Sequence, residues 1–156
     1  MLASSETNPN AYWLNSRGMW AGYTASVIFL FILVNCIPVI SIPVVWTLTH
    51  GIHNIGNYIM FHYLKGTPYA TMDQGETSWM TNWEQIDNGE QFTPTRNFLT
   101  AFSILLFILA GFFTIQDTTL TAINIAIMLV GVVPKLPLFH GFRLSQLLSQ
   151  SSDKEQ

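Results

Sequence analysis

Between Arg17 and Lys65 the chain carries no Lys, Arg, Asp or Glu: residues 18 through 64, 47 in a row, are uncharged. A hydrocarbon core about 30 Å thick takes roughly 20 apolar residues as helix, so a gap of this length fits two crossings. Two shorter gaps, residues 97–116 and 118–134, fit one crossing each. Charged residues make up 10% of the 156, against roughly 25% in a typical soluble domain. A soluble fold is excluded on these grounds. The net charge of −3 without a basic run leaves no footprint for nucleic acid.

The expected fold is an all-α membrane domain over 21–144, with four transmembrane helices arranged as two hairpins. The spans fall at about 21–37, 43–64, 98–116 and 119–136. Pro38 and Pro43 punctuate the first hairpin, and Pro134 with Pro137 ends or kinks the last span. Residues 1–20 read as a cytosolic, interfacial N-terminal segment, with Trp13 and Trp20 seven apart on one helical face and Asn10 as a cap after Pro9. The polar loop 65–96 holds Trp79, Trp83 and Ile86 at helical spacing opposite Glu84 and Asp87. That pattern predicts a short amphipathic helix on the membrane surface. Residues 145–156 form a Ser/Gln-rich tail, expected to be flexible and cytosolic. Four spans place Arg17, Lys65, Arg96, Lys135, Arg143 and Lys154 on one side, which the positive-inside rule makes the cytosol, with both termini there. No signal peptide and no N-glycosylation site are expected.

Catalytic templates are missing. There is no Gly-X-Ser-X-Gly elbow, no His-Glu-X-X-His and no phosphate-binding Gly loop. Asp73, Glu76, Glu84, Asp87 and Glu90 read as a solvated face. The single cysteine, Cys36, reads as an unreactive thiol in an apolar helix. His50 and His53 are three apart, with His62 and His140 further on, but no carboxylate lies within a turn to complete a metal site. No metal, no cofactor and no enzymatic activity are expected. On the second span Trp46, His50, His53 and Asn57 follow helical spacing, with Asn54 beside them. Lipid penalises such a stripe, so it faces another helix or a partner protein. We assign His50, His53, Asn54 and Asn57 as a partner-facing stripe, the imidazoles hydrogen-bonding across helices. These features describe a small membrane subunit that binds a lipid headgroup and a larger protein. The alternatives are a polar-lined transporter or channel, and a general membrane chaperone or assembly subunit.

The sequence also resembles the ORM/ORMDL family. The resemblance runs from Asn8-Pro9-Asn10, Trp13 and Asn15-Ser16-Arg17-Gly18 through Ser41-Ile42-Pro43-Val44-Val45-Trp46, His53-Asn54 and Lys65-Gly66-Thr67-Pro68. It continues in Trp83-Glu84-Gln85-Ile86-Asp87, Gln91-Phe92-Thr93 and Arg96, and closes in Pro134-Lys135-Leu136-Pro137, His140-Gly141 and Arg143. It implies a multi-pass protein of the endoplasmic reticulum membrane and a negative regulator of serine palmitoyltransferase. Its implied partners are that enzyme's catalytic and small subunits, ceramide and membrane lipid. Ceramide feedback inhibition of sphingolipid synthesis is the implied activity. The family's ceramide contact maps onto Asn10, with Met60 and Asn82 near the lipid where relatives carry an aromatic and a histidine. Met1 and Leu2 map onto the N-terminus that blocks the enzyme's substrate tunnel.

Overall fold

In the computed structural model, which describes residues 16–66 and 78–139, the first uncharged gap folds as two helices. α1 runs Arg17–Asn35 and α2 runs Ile42–Tyr58. They break apart around Pro38, which has no backbone donor to continue a helix, and Pro43 fits the first turn of α2. Cys36 lies just beyond α1 and is exposed, not buried within an apolar helix as expected, because the helix ends one residue before it. α2 continues into a turn of π-helix over Ile59–Tyr63 before the chain extends at Leu64.

The last two long helices are set by their caps. Thr93 accepts a hydrogen bond from Arg96 N (3.3 Å) and starts α4, Pro94–Thr114. Asp117 accepts from the amides of Thr119 (2.9 Å) and Leu120 (3.0 Å) and starts α5, Thr118–Val132. Because its cap decides where a helix begins, α4 starts about a turn before the apolar residues do; α1 also starts early, at Arg17. Pro134 falls in a 3-10 turn, Val133–Lys135, that closes α5. Between α2 and α4, the described residues form a short α-helix, α3, Asn82–Gln85, followed by a 3-10 turn, Ile86–Gly89.

Among the described residues, three segments are long and apolar enough to cross a membrane: Gly18–Asn35, Pro94–Thr114 and Thr118–Lys135. α2, at 17 regular residues and with its polar stripe, stands outside that set. Among the described residues there is no strand, only an isolated antiparallel bridge between Lys65 and Thr81.

Ring contacts and hydrogen bonds fix the directions of the helices. Phe31 meets Trp46 while Tyr23 meets His53, so α1 and α2 run antiparallel. Trp46 stacks on Phe113, and His53 lies against Phe102, so α2 and α4 are antiparallel too. Thr47 and His50 both reach Asn124, whereas Asn54 abuts Gly131, so α2 and α5 advance together. α2 is the helix on which α1, α4 and α5 all pack. The distribution of polarity is inverted relative to a soluble bundle. Thr49, His50, Asn54, Ser103, Thr114 and Asn124 are buried, while Ile28, Phe29, Ile108, Phe112 and Val130 are exposed. An aqueous surround would reverse that preference; a hydrocarbon surround favours it.

Candidate functional site

The polar stripe of α2 turns inward onto the chain's own helices. His50 Nδ1 lies 3.0 Å from Asn124 Oδ1, and Asn124 Nδ2 donates to Thr47 Oγ1 (3.0 Å) and Thr114 Oγ1 (3.3 Å). An amide oxygen only accepts, so His50 carries its proton on Nδ1 and leaves Nε2 a buried acceptor without a partner. One turn further, the Tyr23 hydroxyl lies 2.6 Å from His53 Nε2, and Asn57 Nδ2 donates to that hydroxyl (2.8 Å). These clasps tie α2 to α5 and to α1. Of the two surroundings open to His50, His53, Asn54 and Asn57, a neighbouring helix or an outside partner, the stripe lies against neighbouring helices of this chain.

The second cluster sits at the end of the bundle where α1 and α4 begin. Thr81 caps α3 in a reciprocal pair: its backbone N donates to Glu84 Oε2 (2.7 Å), and Glu84 N donates to Thr81 Oγ1 (3.3 Å). Asp87, Asn88 and Gly89 then take positive φ (51°, 54° and 85°) and turn the chain sharply into α4. Asp, Asn and Gly are the residues that tolerate this left-handed backbone. The expected surface helix is therefore corrected. The helix lasts one turn, Trp79 stays 68% exposed, and Trp83 and Ile86 are only 3% and 1% exposed. They join Phe61 and Leu99 in a core against which Met19, Tyr23, Met60 and Phe98 pack. Glu84 is buried too, so it does not belong to a solvated face.

Arg96 holds this loop in place. Its Nη2 donates to the carbonyls of Trp83 (2.6 Å) and Ile86 (3.2 Å), its Nη1 donates to Gln91 Oε1 (3.2 Å), and the guanidinium lies 5.0 Å from the Trp83 ring centre. Gln85 Nε2 donates to the carbonyls of Gly66 (3.2 Å) and Met80 (3.0 Å), closing the loop onto the end of α2. The π turn brings the Met60 carbonyl round to accept from Asn82 Nδ2 at 2.8 Å. Met60 and Asn82, 22 residues apart, are thus in direct contact. Asn10, Met1 and Leu2 lie outside the described residues, as do His140 and the tail.

Three side chains central to this geometry carry no site role in the sequence reading. Asn124 is the only amide in an otherwise apolar span, a signal that a mid-membrane polar residue has a partner. Arg96 and Lys135 count in the sequence only as charges on the cytosolic side, and they are 2% and 5% exposed. Their signal is position: each sits within two residues of a proline at the end of an apolar helix.

The ORMDL family model matches residues 8–143. ORM1-like protein 1 of Homo sapiens is 48% identical over 143 residues, covering 92% of this chain and 94% of the relative. ORM1-like protein 2 of Mus musculus is 50% identical with the same coverage, and ORM1-like protein 1 of Danio rerio is 49% identical.

Proposed function

The chain belongs to the ORMDL family, and from that premise we propose that it is a non-catalytic regulatory subunit of serine palmitoyltransferase that responds to ceramide. In this reading it resides in the endoplasmic reticulum membrane as four helices in two hairpins. α2 is the fourth crossing, shielded by α1, α4 and α5. Both termini and the loop between α2 and α4 face the cytosol. The observation that carries the reading is the family match running from residue 8 to residue 143. The contact between Asn82 and the Met60 carbonyl supports it, since both residues lie at the end of the bundle where α1 starts.

Asn10 presents an amide that both donates and accepts, which matches the hydroxyl and amide of a ceramide headgroup. Its contribution has a ceiling. Moving a two-state equilibrium from 1:99 to 99:1 takes about 5.5 kcal/mol of differential affinity, and a neutral hydrogen bond contributes about 0.5–1.5 kcal/mol. Burial of the acyl chains supplies the remainder. Ceramide then orders the N-terminal segment, and Met1 and Leu2 obstruct the substrate tunnel of the synthase. Titrating ceramide against synthase co-reconstituted with each variant tests this. Asn10→Ala is expected to raise the half-inhibitory ceramide concentration about tenfold while the complex still co-purifies. Superimposable inhibition curves refute the role of Asn10, and failure of the wild-type chain to co-purify with the synthase refutes the regulatory reading. The burial of the polar stripe gives the transporter alternative no support.

A further inference from the structure

Lys135 ends the apolar run of α5 and is buried, with its Nζ donating to Ser103 Oγ (2.8 Å) and the Leu99 carbonyl (3.2 Å). Both partners are neutral, and among the described residues Lys135 makes no ion pair. An ammonium has three donors, so one remains after these two bonds. Arg96 is different: Glu84 and Asp87 face it from the α3 turn. Among the described residues Lys135 is thus a cation without a counter-charge, and a buried charge in that state is costly unless an anion reaches it.

A recess of about 260 Å³ supplies the route. It lies between the first two turns of α4 and the turn after α5, and Trp83, Gln91, Arg96 and Lys135 line it together with Ala101 and Ile104. The Arg96 Nε, buried and without a partner, belongs to the same side chain. The recess changes character along its length, cationic at the bundle end and apolar along α4. Phe92 and Leu138 flank the bundle end, 80% and 88% exposed. Cations at the ends of apolar helices lie at the depth of lipid headgroups. A charged head with apolar chains running inward along the helix therefore fits this recess.

We propose that the recess binds an anionic glycerophospholipid, its phosphate accepting a hydrogen bond from Lys135 Nζ and one acyl chain lying along Ala101 and Ile104. The phosphate neutralises Lys135 through a charge-assisted bond, the strong class of hydrogen bond. The inference stands apart from ceramide and the synthase.

The test uses the full chain equilibrated in vesicles of dioleoylphosphatidylcholine with a minor share of dioleoylphosphatidylglycerol, then native mass spectrometry of the co-purified lipid. The wild type is expected to retain phosphatidylglycerol well above its share of the vesicle. Lys135→Gln is expected to lose about tenfold of that preference, the equivalent of one charge-assisted hydrogen bond. Ala101→Trp, which fills the apolar part and leaves both cations, is expected to lose it too, and Lys135→Arg to keep it. Should Lys135→Gln fail to fold, the contrast between Lys135→Arg and Ala101→Trp decides the matter. Retention of the two lipids in proportion to the vesicle overturns the proposal, as does an unchanged preference in Ala101→Trp. So does inorganic phosphate raising the melting temperature of the solubilised protein as much as phosphatidylglycerol, which would mark a site for the free ion.

Discussion

Gly131 marks the tightest approach between α2 and α5. A methyl group built on it would overlap the side-chain amide of Asn54, which is fully buried and has no open space to retreat into. Gly131→Ala is expected to destabilise the protein by about 1–3 kcal/mol, the usual cost of an extra methyl in a filled core. Asn54→Ala in the same chain removes the obstruction, so the double variant is expected to be more stable than Gly131→Ala alone. Thermal unfolding in detergent, followed by Trp fluorescence, reads this coupling as a double-mutant cycle. The small residue and the amide together explain why α5 lies so close to α2, in the manner of small-residue contacts between membrane helices.

At the scale of elements, the segment between α2 and α4 is held by side chains more than by helix. Its one turn of α3 relies on the Thr81–Glu84 cap at one end and on Arg96 clasping two carbonyls at the other. Arg96→Lys keeps the charge but loses the planar fork. It is expected to weaken the docking of the loop by about 1.5–3 kcal/mol, and Thr81→Ala by about 1 kcal/mol. Hydrogen exchange at the amides of residues 82–90 is expected to rise in that order while exchange within α4 and α5 stays unchanged. The signals for this segment were present but competed. Thr81-Asn82-Trp83-Glu84 spells a capping box, and Asp87-Asn88-Gly89 a left-handed stop. The spacing of Trp79, Trp83 and Ile86 argues instead for one longer helix. The stop prevails because an uncapped surface helix of that length is marginal, whereas burying Trp83 and Ile86 stabilises the turn. The caps at Thr93 and Asp117 are polar residues that apolar runs alone do not register, so the expected spans begin at about 98 and 119 while the helices begin at Pro94 and Thr118. The partners of His50 and His53 were not legible, since periodicity gives the face of a helix but not the rotation of the helix beside it. For the same reason the contact between Met60 and Asn82 required the π turn, which no local pattern announces.

For the whole molecule, the antiparallel order of the helices puts Lys65, Arg96 and Lys135 at one end and the connections at residues 36–41 and 115–117 at the other. In a Cys36→Ser background, Glu90→Cys is expected to react with an impermeant maleimide added to the cytosolic face of sealed vesicles. Val39→Cys and Ile115→Cys, both on exposed positions, are expected to react only after the vesicles are opened. Labelling of residues 39 and 90 from the same face would mean that the helices do not all cross. The clasp between His50 and Asn124 also has a bearing on biogenesis. The two residues are 74 positions apart, which at about 5–20 residues per second of synthesis is a delay of about 4–15 s. On the proposed topology, α2 spends that interval in the bilayer with the His50 imidazole lacking this partner. A newborn chain is therefore recognisable as incomplete until α5 arrives.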